Sequence, residues 1–247
     1  MIIQWAKSFH FDMYSIIIPT LNEQDNIVNS IQQFNNYKDK YKLEIIVSDS
    51  RSIDNTVSLS EGIADKVIIY NKNDKCNISK ARNFGAKFSS NSFLIFLDAD
   101  IIIPDIDLFF NILSSDLKKN DLIAASPSIT VNPASENLID KIVHFIILLI
   151  SRIMNVLGFG YARGGCQIIN AKYFNLINGY NENYVAGEDV DIFRRIRKHG
   201  KTSIINNLNV YESPRRYRRL GYLNVLFSWF MNWLFIVLFK KTFSSKW

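Results

Sequence analysis

The 247-residue chain has only two cysteines, Cys76 and Cys166, too few for the disulfide framework of a small secreted domain and compatible with a reducing compartment. Its three histidines, His10, His144 and His199, are scattered without the short spacing of a metal pair, which argues against zinc chemistry. Neither a Gly-x-Gly-x-x-Gly nor a Gly-x-x-x-x-Gly-Lys-Ser/Thr pattern occurs, so a dinucleotide fold and a P-loop are both disfavoured. There is no low-complexity run and no internal repeat. The opening stretch MIIQWAKSFHFDMYS is apolar only briefly and lacks a small-residue cleavage site, so no secretory leader is read there.

What the chain does have is oil and positive charge. Hydrophobic residues make up 48%, mean hydropathy is +0.00, and 29 basic against 23 acidic side chains leave a net charge of +6. That much apolar surface excludes an intrinsically disordered chain, and the length fits one large domain. The excess oil sits in two stretches, Ile142 to Phe159 and Tyr222 to Phe239. The second follows Arg215, Arg216, Arg218 and Arg219 and precedes Lys240, Lys241 and Lys246, with Trp229 and Trp233 inside it. Basic flanks and tryptophans suit a helix at an anionic membrane surface. Its 18 residues would cover about 27 Å. Asn224, Ser228 and Asn232 mark a more polar face, so a helix lying in one leaflet is favoured over a span or a buried soluble helix. Ile142 to Phe159 is interrupted by Ser151, Arg152 and Asn155 and leaves a core helix and membrane contact equally open. The arginines together with the neighbouring Trp- and Leu-rich segment favour membrane over nucleic acid as the partner of the positive charge. The expected location is peripheral or monotopic on the cytoplasmic face of the membrane.

The first half reads as an α/β layer. Apolar runs at Tyr14–Ile18, Leu43–Val47, Val67–Tyr70 and Phe93–Leu97, with a weaker one at Leu122–Ala125, lack the polar alternation of half-exposed strands and predict strands buried on both faces. Helices are predicted between them at Asp25–Phe34, Asn55–Glu61 and Ile78–Phe88, and after the fourth at Asp105–Leu117. This order implies right-handed crossovers and a mostly parallel sheet. Ligands then gather beyond the carboxyl ends of the strands. Those ends carry Glu23, Asp49, and the pair Asp98 and Asp100. A D-x-D triplet alone is common in turns, but its place after an unbroken apolar strand suits hard oxygen ligands for Mg²⁺ or Mn²⁺ shared with phosphates. If the strand geometry persists, Asp98 and Asp100 point the same way. Farther on, Gly187-Glu188-Asp189 opens a helical pattern, where an acidic residue either serves the helix dipole or accepts a proton from a hydroxyl. Gly164 and Gly165 suit a close backbone approach, and a strand is predicted over Cys166–Asn170.

The ordered set Ser15-Ile-Ile-Ile-Pro-Thr-Leu-Asn-Glu23, Val47-Ser-Asp-Ser-Arg-Ser-Ile-Asp-Asn-Thr56, Lys80-Ala-Arg-Asn-Phe-Gly85, Asp98-Ala-Asp100, Gly164-Gly165 and Gly187-Glu-Asp189 resembles the family 2 glycosyltransferases of the GT-A fold, over roughly residues 13 to 220. The resemblance implies an inverting transfer from a nucleoside-diphosphate sugar, UDP- or GDP-linked, aided by Mn²⁺ or Mg²⁺. It implies that Pro19, Thr20, Asn22 and Glu23 line the nucleoside pocket, that Asp49 contacts the base, and that Arg82 lies near the phosphates. Asp98 would face donor ribose or sugar and the metal, Asp100 would be the principal metal ligand, and Glu212 a late one. Gly165 would lie beside the donor sugar; Arg215 and Arg216 would either reach over the pyrophosphate or bind anionic lipid or a lipid-phosphate acceptor. Asp189 matches the general base and Glu188 a neighbouring acceptor-site residue. The acceptor would be a saccharide or a lipid-linked group.

Two departures stand out. Ser50 and Arg51 replace the family's usual acidic residue and glycine after Asp49. The Gln-x-x-Arg-Trp motif of processive synthases is replaced by Ser213-Pro-Arg-Arg-Tyr-Arg-Arg219, which favours transfer of one sugar per encounter. A nucleotidyltransferase on a related sheet and a non-catalytic sugar- or lipid-binding descendant are the competing readings. The expected division is a catalytic domain over 1–219 and a membrane-associating helix and basic tail over 220–247.

Overall fold

The apolar runs at Tyr14–Ile18, Leu43–Val47 and Phe93–Leu97 become the centre of a single sheet, buried on both faces, whereas the run at Val67–Tyr70 is not buried on both faces as expected: it forms an edge strand whose Ile69 is 49% exposed. The computed structural model describes residues 13–244, so His10, Lys246 and most of the stretch read for a leader lie outside the described residues. Seven strands, β1 (Tyr14–Thr20), β2 (Leu43–Asp49), β3 (Lys66–Ile69), β4 (Phe93–Leu97), β5 (Leu122–Val131), β6 (Cys166–Asn170) and β7 (Lys201–Glu212), lie in the order β3-β2-β1-β4-β6-β5-β7. Only β6 runs against its neighbours β4 and β5, so the carboxyl ends of the other six share one edge with the start of β6.

Alternate residues of the strands divide the core. Ile16, Ile18, Ile45, Val47, Ile95 and Leu97 face one side with α1 (Ile27–Gln32) and α5 (Ile106–Lys119). The other side carries Ile17, Ile46, Leu94 and Phe96 against Phe174 of α7 (Ala171–Leu176) and Phe193 of α8 (Glu188–Ile196). Short helices α2 (Lys38–Tyr41) and α3 (Thr56–Ser60) fill the crossovers beside β2. α4 (Ile78–Ala86), capped by Asn77, lies on β1, and a side chain at Gly85 would run into Ile17. That missing side chain lets α4 sit close enough to bury Arg82.

The fifth strand is longer than its apolar run foretold. Pro127 interrupts the pattern, and the pairing with β7 shifts register between Pro127 and Ser128, a bulge that tolerates the missing N–H. β7 itself went unforeseen because it is a polar edge strand, alternating buried Ile204, Leu208 and Val210 with exposed asparagines and lysine. Its residue Tyr211 bridges Ile102 just beyond β4.

Three helices complete the chain: α6 (Leu138–Val156), α9 (Arg215–Leu220) and α10 (Tyr222–Phe239). α6 packs on β5 and β7, so the core reading of that stretch holds for its inner side. α10 is long and apolar enough to cross a membrane, but only 17% of it is buried, through Val225, Asn232 and Ile236.

Candidate active site

At the β1–β2 end of the shared edge, the loop after β2 folds onto the loop after β1. Thr20 and Asp49 are register partners, and the buried Asp49 accepts from Thr20 Oγ1 at 2.9 Å and from Ser52 N–H and Oγ at 2.8 and 2.5 Å. Asn22 closes the contact from the other side: its N–H donates to Ser52 Oγ and its Oδ1 accepts from Ile53 N–H. Glu23 N–H donates to Thr56 Oγ1 at 2.8 Å. Pro19 lies within the buried strand, one residue before its end and paired in register with Ser48. The departure at Arg51 has a physical cost, because its φ of 68° lies in the left-handed region that glycine adopts freely. The guanidinium offsets this by donating to the backbone carbonyls of Tyr70 and Lys72.

At the β4 end the chain leaves extended geometry at once. Ile101 N–H donates to Asp98 O, making a turn, so Asp98 and Asp100 are brought together by that turn and not by strand alternation as expected. Asp98 Oδ1 takes Arg82 Nη2 at 2.9 Å. Asp100 lies 3.3 Å from Arg215 Nε, and Glu23 Oε1 accepts from Arg215 Nη2 at 2.7 Å. Burial and the neighbouring charges of Asp98, Glu212 and Glu23 push the Asp100 carboxyl up to about 6, against the pull of Arg215.

Arg82 is the buried hub. Its Nη1 donates to Glu188 at 2.8 Å, its Nη2 to Asp98 and to Gly164 O at 3.2 Å, and its guanidinium stands 5.3 Å over the Tyr180 ring. α4 reaches α8 because Asn83 and Ser79 donate to the carbonyls of Tyr180 and Tyr184 in the segment before α8. Gly187, at φ 75°, starts α8 and puts Glu188 and Asp189 in its first turn. A side chain on Gly164 would meet Arg82 at 3.2 Å and Asp189 at 3.5 Å, and one on Gly165 would meet the buried Ile101 at 3.0 Å, so the backbone approaches the Arg82 cluster at the first and the core at the second. Burial raises both neighbouring carboxyls of α8, Glu188 further through the charge of Asp189, while Arg82 works against the shift. Glu188 is tied to Arg82; Asp189 accepts from Val190 N–H at 2.9 Å and has no ion pair among the described residues.

Some expected site residues stand apart from this cluster or are already engaged. Both oxygens of Glu212 accept from Arg163 Nη2 at 2.7 and 2.8 Å, and Tyr217 donates to one of them at 2.7 Å. Arg216 is exposed and makes no ion pair among the described residues, whereas Arg215 bridges to the carboxylates. Among the described residues no three acidic, cysteine or histidine side chains converge as a ready-made metal cage. Asp98 and Asp100, each facing an arginine, nevertheless offer hard oxygens of the kind that would suit a divalent cation otherwise completed by phosphates and water. Sequence reading passed over Arg163 and Tyr217; the one local signal was the placement of Arg163 directly before the glycine pair.

Comparison with known proteins agrees with this geometry. The profile described as glycosyl transferase family 2 matches residues 15–166. The minor teichoic acid biosynthesis protein GgaB of Bacillus subtilis is 29% identical over 127 residues, 49% of this chain but 14% of GgaB. Among solved structures, the mannosyltransferase PcManGT from Pyrobaculum calidifontis, in complex with GDP-Man and Mn²⁺, superposes with a TM-score of 0.63 at 19% identity, over 87% of this chain and 63% of its own. Glucosyl-3-phosphoglycerate synthase from Mycobacterium tuberculosis, in complex with Mn²⁺, UDP and glucosyl-3-phosphoglycerate, gives a TM-score of 0.57 at 16% identity, over 90% of this chain and 79% of its own. At such identities these two structures speak for the fold alone. With the profile covering more than half of the residues and the strand-end carboxylates gathered at one edge of the sheet, the chain belongs to glycosyl transferase family 2.

Proposed function

We propose that the protein is an inverting glycosyltransferase that moves one sugar from a UDP- or GDP-sugar to a hydroxyl or lipid-phosphate acceptor with the help of Mn²⁺ or Mg²⁺. The observation that carries this reading is the ring of carboxylates, Glu23, Asp98, Asp100, Glu188 and Asp189, gathered around Arg82 and Arg215 at the carboxyl edge of the sheet. In this reading residues 1–219 are the catalytic domain and 220–247 hold it to an anionic membrane surface.

The loop pair around Asp49, with Pro19, Thr20, Asn22 and Glu23, takes the nucleoside. Asp100 and Asp98 would hold the divalent ion, with Glu212 contributing charge from behind its pair with Arg163. When bound, such an ion neutralises the charge that grows on the leaving diphosphate. Arg82 adds a fixed positive charge beneath the cleft, and because it is already held by Glu188 and Asp98 it needs no reorganisation as the bond breaks. Displacing Arg215 from Glu23 and Asp100 would free it, with Arg216 alongside, to approach the pyrophosphate. Gly165 would lie beside the donor sugar. Asp189, whose raised affinity for protons suits a base, takes the acceptor proton as the hydroxyl attacks from the opposite face, and a single displacement inverts the anomeric carbon. A lipid-phosphate acceptor is already ionised and would need Asp189 less.

Calorimetric titration of the full-length protein with UDP and GDP tests the donor site. Binding in Mn²⁺ that is lost in excess chelator is the expected result; equal affinity in both removes the metal from the reading. A screen of UDP- and GDP-sugars read by released diphosphate then identifies the donor, and release of pyrophosphate from nucleoside triphosphates would point to nucleotidyl transfer.

A further inference from the structure

The turn that joins β7 to α9 is closed by one guanidinium nitrogen. Arg163 Nη2 lies 2.7 and 2.8 Å from the two oxygens of Glu212, the last residue of β7, and 2.7 Å from the hydroxyl of Tyr217 in α9. Tyr217 donates in turn to Glu212 Oε1 at 2.7 Å. The three groups form a closed triangle, a clasp that holds the two ends of the turn together. Arg215 sits inside that turn, between Glu212 and Tyr217 in the chain, and reaches out of it to Glu23 and Asp100.

The clasp is shielded from water. The Arg163 side chain is 13% exposed and Tyr217 is 2% exposed. Trp229 of α10 covers the guanidinium at 5.2 Å, and both Trp229 and the His144 ring of α6 meet Tyr217 edge-on. Charge-assisted hydrogen bonds in such low-dielectric surroundings are stronger and better defined than those on a surface. The Arg215 side chain, by contrast, is 52% exposed, and an ion pair made from so open a position fixes little by itself. Its place is inherited from the backbone beneath it. The far end of α9 is held separately, by Arg218 on Asp140 at 3.0 Å, so the clasp governs the start of the helix, where Arg215 is.

Arg163 also leads directly into the cleft. Gly164, the next residue, accepts from Arg82 Nη2 at 3.2 Å. One dipeptide therefore serves both arginines: its carbonyl holds the buried Arg82, and its side chain holds the turn that presents Arg215. We propose that Arg163 is a positioning residue of the donor site, fixing through Glu212 and Tyr217 the point from which Arg215 reaches the pyrophosphate. The inference rests on the donor reading of this cleft proposed above. Arg163 touches neither the donor nor the metal in that reading. What it supplies is preorganisation, because a guanidinium whose backbone is already placed loses less freedom on binding than one on an open loop.

The test is a double-mutant cycle on the full chain, read by calorimetric titration with UDP and with GDP in Mn²⁺. Tyr217→Phe removes one hydroxyl from the clasp and keeps the ring packing. Arg163→Lys keeps the charge and loses the planar fork that meets Glu212 and Tyr217 together. Arg215→Ala removes the presented group. Arg215→Ala should weaken nucleoside-diphosphate binding about tenfold and each clasp variant about three- to tenfold, with the thermal transition of Tyr217→Phe retained. In the Arg215→Ala background the clasp variants should add nothing, because the group they place is gone.

Losses that multiply, so that a clasp variant weakens binding as much without Arg215 as with it, would mean that the clasp acts on the metal site through Glu212 or on the fold at large, and overturn the inference. Parental affinity in either clasp variant overturns it as well. If Arg163→Lys does not fold, Tyr217→Phe decides by the same two criteria. A parent protein that binds neither UDP nor GDP overturns the donor reading itself, and this inference with it.

Discussion

Asp49 and Asp100 stand at the same edge of the sheet, beyond the two strands that flank β1, and the protein treats their charges in opposite ways. Asp49 is surrounded by donors: Thr20, the Ser52 amide and the Ser52 hydroxyl all point at it. Asp100 is surrounded by acceptors, with Asp98, Glu212 and Glu23 near it and Arg215 at 3.3 Å as the partner. The first region is complete as folded, a preorganised wall whose hydrogen bonds set its shape. The second holds an excess of negative charge that folding alone leaves unbalanced. A carboxylate satisfied by hydrogen-bond donors and one crowded by other carboxylates are thus distinguishable by their surroundings, even though both follow an apolar strand.

The sharpest way to break this comparison lies across the cleft, at Asp189. Asp189→Asn should lower single-turnover transfer to a hydroxyl acceptor by roughly 10²–10⁴-fold while metal-dependent donor affinity stays intact. Asp100→Ala should weaken that affinity as well, and measuring both quantities for both variants separates a base from a metal-site residue. Parental transfer by Asp189→Asn, where chemistry limits the rate, would remove it from the mechanism.

The next effect concerns stability and has opposite signs at the two sites. Asp49→Asn discards charge-assisted hydrogen bonds and should lose about 1–3 kcal/mol in denaturant unfolding at neutral pH. Asp100→Asn relieves unbalanced buried charge and should gain about 1–2 kcal/mol under the same conditions, at the expense of metal-dependent donor binding. Two variants shifting in the same direction would erase the distinction between the sites.

The pH response follows from the same carboxyl. With its folded value raised from 3.8 to about 6, Asp100 binds a proton more tightly in the folded than in the unfolded chain. Its contribution therefore lowers stability as pH rises through that window, while the ionised form needed for a divalent ion accumulates. Metal-dependent binding of nucleoside diphosphate should fall about tenfold between pH 7.5 and pH 5, and Asp100→Asn should flatten that part of the profile. The smallest effect is expected at Arg51→Gly, where relief of the left-handed backbone and loss of two hydrogen bonds nearly cancel. A change within about 1 kcal/mol, read by thermal or denaturant unfolding, is expected.

Much of this architecture was legible in the sequence because it depends on local pattern. The apolar runs of β1, β2 and β4 could bury both faces only inside a sheet, and the polar residues following them had to emerge at its carboxyl edge. The spacing of those residues was enough to suggest the family. β7 and the second half of β5 escaped because an edge strand needs no continuous oil and because Pro127 enters a sheet only where a bulge excuses it.

The long-range pairing of charges at the carboxyl edge was beyond the reach of any local pattern, unlike the i,i+3 and i,i+4 contacts of Asp191 with Arg194 and Arg195. Arg82 meets Glu188 across 106 positions and Arg215 meets Glu23 across 192, contacts that exist because α4 lies on β1 and α9 returns to the carboxyl edge. Glu212 and Asp100 are both acids near strand ends in the structure, yet the fold gives the first an arginine nitrogen shared by both its oxygens and crowds the second with other carboxylates. The sequence alone determined which groups would be present at the edge, since secondary structure follows from neighbours along the chain. Tertiary structure decided which carboxylates are neutralised and which remain available to a ligand, because electrostatic energy depends on distance through space and on burial, and neither is written in the order of residues.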